Sequence, residues 1–183
     1  MRYMYQRRTS SRFLVVLCVL VVLSFVGAWV WAMNDESEGS DLRATLKGPD
    51  SVPVGKPINV RFTLLNDADV SLYVLKWYTP LEGVAGGIFR VECEGQELEY
   101  EGILAMRGHP SPECYVKLEP GAEVSAEVDL SQVYDFSRPG EYTIEFLSPG
   151  ISHLTRTEDG MASMVEDLCP VEIPSNSIKV EVN

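Results

Sequence analysis

The sequence predicts an all-β domain of about eight antiparallel strands, set behind a single membrane-crossing helix. Three observations carry this. Apolar residues alternate with polar ones at period two through most of residues 42–183, turn-forming residues punctuate that alternation, and one unbroken apolar run lies near the N-terminus. At 183 residues the chain is long enough for one ordinary domain and an appendage.

Residues 1–12 form a basic tail that holds Arg2, Arg7, Arg8 and Arg12 and no acid. Residues 13–33 read FLVVLCVLVVLSFVGAWVWAM, 21 positions without a charge. At ~1.5 Å per residue a helix of this length spans the ~30 Å hydrocarbon core of a bilayer. Arginines precede the run, and Asp35, Glu36, Glu38 and Asp41 follow it. The positive-inside rule then leaves the N-terminus cytoplasmic and exports the rest, to a periplasm or the cell exterior. Tyr3 and Tyr5 on one side, with Trp29 and Trp31 on the other, suit the two interfacial belts. A cleaved signal peptide ending at Ala32 is the alternative, but its apolar region would be unusually long. Residues 34–41, NDESEGSD, read as an acidic tether.

Residues 42–183 carry the strands. In PINVRFTLLN, Ile58, Val60, Phe62 and Leu64 share a face opposite Asn59, Arg61 and Thr63. QELEYEG places Leu98 and Tyr100 inward and Glu97, Glu99 and Glu101 outward. Val124, Ala126, Val128 and Leu130 repeat the pattern, as do Tyr142, Ile144 and Phe146, then Ile178, Val180 and Val182. Shorter candidates are Leu42–Lys47, 70–77, 88–94 and Tyr115–Leu118. Gly48-Pro49-Asp50, Asn66-Asp67, Glu94-Gly95, Glu119-Pro120-Gly121 and Arg138-Pro139-Gly140 separate them as turns. Parallel strands would need crossover helices, and no amphipathic helix is visible beyond a turn or two around 160–168. Pro139-Gly140 leading into Tyr142 resembles the approach to a tyrosine corner, so an immunoglobulin-like sandwich is expected.

Charge narrows function. Beyond residue 33 the chain holds 11 basic and 27 acidic side chains, net −16. Such a body repels phosphate backbones, so nucleic acid is not expected as a partner. His109 and His153 are the only histidines, and neither begins a His-Glu-x-x-His motif. No Gly-x-Ser-x-Gly elbow or phosphate-binding loop is present, so neither a cofactor nor a small-molecule substrate is expected. Asn66-Asp67-Ala68-Asp69 and Glu158-Asp159-Gly160 do not match a calcium-binding EF-hand loop and are read as turns.

Cys93, Cys114 and Cys169 would all face an oxidising compartment, where three pairings are open. Cys93 shares parity with Phe89 and Val91 and is expected in the core. The proline-flanked contexts of Cys114 and Cys169 favour a bridge between them, tying the 147–174 connection to the body. Three unpaired thiols are the alternative, and no Cys-x-x-Cys spacing supports a metal site.

Two loops stand out as binding candidates. Residues 76–83 set Trp77 and Tyr78 beside Thr79, Pro80, Leu81 and Glu82; residues 106–112 carry Arg107 and His109. Aromatics and arginine are common anchors of protein interfaces. In the competing reading, Trp77 and Tyr78 cap the core while Arg107 pairs with an acid such as Glu82.

The same loops carry a family resemblance. The runs FTLLNDADVSLYVLKWYTPLEG, IFRVECEGQELEYEGILAMRGHPSPECYVKLEPG, VDLSQVYDFSRPGEYTIEF and PSNSIKVEV span about residues 42–147 and 173–182. Together they resemble the N-terminal, non-catalytic β-sandwich of bacterial deuterolysin-like, lysine-specific metallopeptidases. The most specific pieces are Leu75-Lys76-Trp77, Thr79 through Gly83, and Arg107-Gly108 with Pro110. A looser similarity exists to small bacterial proteinase-inhibitor domains of sandwich type. In those metallopeptidases a catalytic zinc domain follows the module; here the sequence stops at Asn183, so no zinc ligand or catalytic glutamate has a position to match. The resemblance therefore implies a non-enzymatic, membrane-anchored binding module whose partner is a protein, with a protease as first candidate. A structural, self-associating envelope protein is the alternative, through a free edge such as 178–182, and a protease inhibitor is the narrower one.

Overall fold

Residues 41–147 and 151–183 are described by the computed structural model. The expected basic tail and membrane helix, with all but the last residue of the tether, lie outside them. Among the described residues no helix is long and apolar enough to cross a membrane.

The described residues form eleven strands in chain order: β1 (Leu42–Lys47), β2 (Ser51–Val52), β3 (Asn59–Asn66), β4 (Leu72–Leu75), β5 (Phe89–Cys93), β6 (Gln96–Glu97), β7 (Tyr115–Leu118), β8 (Glu123–Asp129), β9 (Gly140–Phe146), β10 (Leu154–Thr155) and β11 (Ser177–Val182). Three sheets result, ordered β1-β3-β8, β10-β4-β7 and β2-β11-β9-β5-β6. Every pairing is antiparallel except β2 with β11.

The alternation that predicted the sandwich is the alternation that fills it. Val60, Phe62 and Leu64 of β3, Tyr142, Ile144 and Phe146 of β9, and Val180 and Val182 of β11 are all buried. Each such side chain contributes about 1.5–3 kcal/mol by leaving water. Phe62 and Phe146 meet at 5.0 Å between ring centroids. The Tyr142 hydroxyl donates to the Arg138 carbonyl at 2.8 Å, which closes the tyrosine corner expected from Pro139-Gly140.

Asn66 marks the bend where β3 gives way to β4. Fully buried, its Nδ2 donates to the carbonyls of Val70 and Leu118, both at 2.9 Å, and its Oδ1 accepts the Ala68 amide at 2.9 Å. One side-chain amide thus satisfies three backbone groups that the broken ladder would leave unpaired.

Four expectations change. The run 96–102 is paired only at β6; beyond it, Tyr100 turns its hydroxyl to neighbouring carbonyls instead of continuing a ladder. The 70–77 strand shortens to β4 and is buried on both faces. Its second face, with Tyr73, Leu75, Trp77 and Tyr115, is covered by Met161 and Leu168 of the 147–174 connection. That connection contains β10 and two 3-10 turns, Glu158–Gly160 and Val165–Asp167. The 178–182 run is no free edge, because β11 lies between β2 and β9. Lastly, Cys93 is buried as expected, but the three cysteines of the described residues are free, so the Cys114–Cys169 bridge is absent here. The Cys114 sulfur instead lies 3.6 Å from Ser111 Oγ, and the exposed Cys169 sulfur 3.8 Å from the Asp167 carbonyl.

Candidate protein-binding face

After Leu75 the chain leaves β4 in a series of tight turns. The Thr79 hydroxyl donates to the Lys76 carbonyl at 2.6 Å and accepts the Leu81 amide at 3.2 Å. The Glu82 and Gly83 amides then reach the carbonyls of Thr79 and Pro80. Threonine and proline are turn builders for these reasons, and both are buried here. Tyr78 takes a positive φ of 57°, a left-handed conformation uncommon for a bulky side chain. Its amide is held by Glu82 Oε1 at 2.8 Å.

The second loop returns to the same carboxylate. Arg107 Nη2 donates to Glu82 Oε1, and both side chains are largely buried, at 19% and 16% exposure. The guanidinium carbon sits 5.3 Å from the ring centroids of Trp77 and of Tyr78, within cation–π range. Among the described residues Arg107 Nε is buried without a hydrogen-bond partner, a cost against which the two cation–π contacts act.

Upstream, Tyr100 fixes the other end of this loop. Its hydroxyl meets the carbonyls of Val84 and Ile103 at 3.1 and 2.8 Å and accepts the Gly86 amide at 3.0 Å. One proton serves the two carbonyls, so those contacts share it. Gly102 must be glycine: a Cβ there would lie 2.4 Å from Tyr100 Oη and 2.7 Å from Val133 Cγ1. The Glu101 amide also donates to the Val133 carbonyl at 2.9 Å.

Between these two anchors the chain projects apolar side chains into solvent. Ile103, Leu104 and Met106 are 73%, 78% and 101% exposed, and Tyr78 beside Arg107 is 42% exposed. Among the described residues, no main-chain group of residues 104–109 makes a hydrogen bond within the chain.

The structure thus joins Trp77, Tyr78, Glu82 and Arg107 into one assembly. Trp77, Thr79 and Pro80 are buried, so they shape the face from beneath; Leu81 is half-buried, and His109 is exposed and joins none of these bonds. Sequence reasoning missed Ile103 and Leu104, and held Met106 only as the first residue of the second loop. The signal was there: GILAM breaks the Glu97-Glu99-Glu101 alternation with no polar residue between apolar ones. Among the described residues no group of His, Cys, Asp or Glu could hold a metal ion.

No family model matches the chain. Over 95 residues it is 35% identical to an extracellular protease of Aeromonas hydrophila, a stretch covering 52% of this chain and 27% of that protein. Over 88 residues it is 30% identical to a probable neutral protease 2 homolog A of Trichophyton rubrum, covering 47% and 24%. A neutral protease 2 homolog of Arthroderma gypseum is 26% identical over 89 residues, covering 47% and 24%. The chain spans about a quarter of the length of these relatives. Among solved structures, the CARDB domain of a Pyrococcus furiosus protein aligns with 78% of this chain and 94% of its own, at 17% identity and a TM-score of 0.34. A β-sandwich matched to part of several proteases fits a protease-associated, non-catalytic module.

Proposed function

We propose that this chain is a membrane-anchored, non-enzymatic binding module, and that its partner is a protein, with a protease as first candidate. The observation that carries the reading is the loop 103–106, which exposes three large apolar side chains yet is fixed at both ends by Tyr100 and by Arg107. Side chains so exposed weaken solubility and are a recurrent mark of interaction sites. A loop fixed in advance also loses little conformational entropy on binding. The resemblance to the non-catalytic sandwich of deuterolysin-like peptidases, and the partial identity with extracellular and neutral proteases, support a peptidase as the partner. The apolar run at 13–33 would hold the domain at the outer surface of the cell membrane.

The reading is tested by calorimetric titration of the full chain, in detergent, with the Aeromonas hydrophila extracellular protease. Saturable binding that weakens about tenfold or more in Leu104→Ser/Met106→Ser is expected. Binding unaffected by those substitutions would remove the loop from the interface, and no binding would remove this protease as a partner.

A further inference from the structure

The loop that presents Ile103, Leu104 and Met106 has the properties of a bound peptidase substrate before any peptidase is present. We infer that residues 103–106 enter the cleft of an apolar-selective endopeptidase as a substrate-like strand and block it; this rests on the protein-binding reading above. An endopeptidase holds its substrate extended, pairing with main-chain amides and carbonyls and admitting alternate side chains into pockets. Residues 104–109 leave their main-chain groups unpaired among the described residues, and the segment 103–110 is neither helix nor strand. Leu104 and Met106 stand two residues apart, a spacing that in an extended strand puts both on one face.

What separates a blocking strand from a good substrate is rigidity on both sides of it. Tyr100 Oη holds the Ile103 carbonyl at 2.8 Å, and Gly102 is wedged against Tyr100 and Val133. On the other side Arg107 is tied to Glu82 and lies within cation–π range of Trp77 and Tyr78. These anchors keep the strand docked and oppose the distortion and separation of ends that cleavage requires. They also define selectivity. Arg107 is engaged within the fold, and no lysine lies between residues 98 and 112, so the loop offers no free cation to a pocket built for one. The pocket it fits is apolar.

The test measures hydrolysis of small chromogenic substrates by chymotrypsin and by thermolysin, with trypsin as control, while the full chain is titrated in detergent. Chymotrypsin has a hydrophobic specificity slot and trypsin an acidic one. The inference predicts competitive inhibition of at least one apolar-selective enzyme, none of trypsin, and an intact 103–107 segment by mass spectrometry. Leu104→Asp/Met106→Asp should weaken inhibition about tenfold or more while leaving the unfolding midpoint unchanged, as expected at exposed positions. No inhibition of either enzyme, rapid cutting within 103–107, or inhibition indifferent to the double substitution would overturn the inference. If the Aeromonas protease binds through this loop but keeps its activity on small substrates, the inference fails and the binding reading stands.

Discussion

Arg107 lies 5.3 Å over the ring of Tyr78, and this pair joins the turn after β4 to the loop that follows β6. Neither segment has regular structure of its own here. Each depends on the other, through the Glu82 carboxylate that serves both the Tyr78 amide and the Arg107 guanidinium.

Glu82→Ala should therefore destabilise the domain by about 2 kcal/mol, because it strands a largely buried guanidinium and frees the Tyr78 amide together. Arg107→Ala should cost a similar amount. Urea unfolding of both single variants and the double variant should show non-additivity of about 1–2 kcal/mol. Additive costs would mean that the pair is not energetically coupled.

Tyr100→Phe removes the hydroxyl that links Val84, Gly86 and Ile103. An expected loss of about 1–2 kcal/mol is accompanied by faster amide exchange at Gly86, which loses its acceptor. Unchanged exchange at Gly86 would count against the anchor.

Asn66→Ala leaves the carbonyls of Val70 and Leu118 and the amide of Ala68 without their partner at a buried bend. A loss of about 3 kcal/mol in thermal or chemical unfolding is expected. A cost below about 1 kcal/mol would show that water or a shifted backbone replaces these bonds.

Asp129 sets a pH dependence. Burial acts to raise its carboxyl, but the hydroxyl and amide of Ser131, the Gln132 side chain and the Ile58 amide outweigh it and hold the group below the usual carboxylate range. A carboxyl lowered on folding stabilises above its unfolded value, about 3.9, and that contribution fades as pH falls through the folded value. Asp129→Asn keeps the cap oxygen but removes the charge and the acceptor for Gln132, and should cost about 1 kcal/mol at neutral pH. The gap to the parent chain should stay constant down to about pH 4 and close below it. A gap that persists to pH 2 would contradict the assignment.

Much of the sandwich was legible because strands covered on one face announce themselves by alternation. The bounds of β1 and β7 follow directly from their sequences. β4 was harder: LYVL is buried on both faces, and its second cover comes from a connection with no periodicity of its own. The pairing of Arg107 with Glu82 was readable as charge complementarity between two loops, although only folding brings them within reach. The break in alternation at GILAM was readable, but the exposure of residues 103–106 that goes with it was not. An apolar run of that kind is ordinarily a core strand, and the contacts that hold its start, from Tyr100 to Val84 and Gly86 and from Glu101 to Val133, form only on folding.

The most direct measurement is photo-crosslinking in the cells that make the protein, with a photoreactive residue in place of Met106 in one full-length variant and of Thr63, on the outer face of β3, in another. The account predicts one discrete adduct from position 106, identified by mass spectrometry as a peptidase, and none of that mass from position 63. No adduct at 106, or the same adducts from both positions, would contradict a docking role for this face.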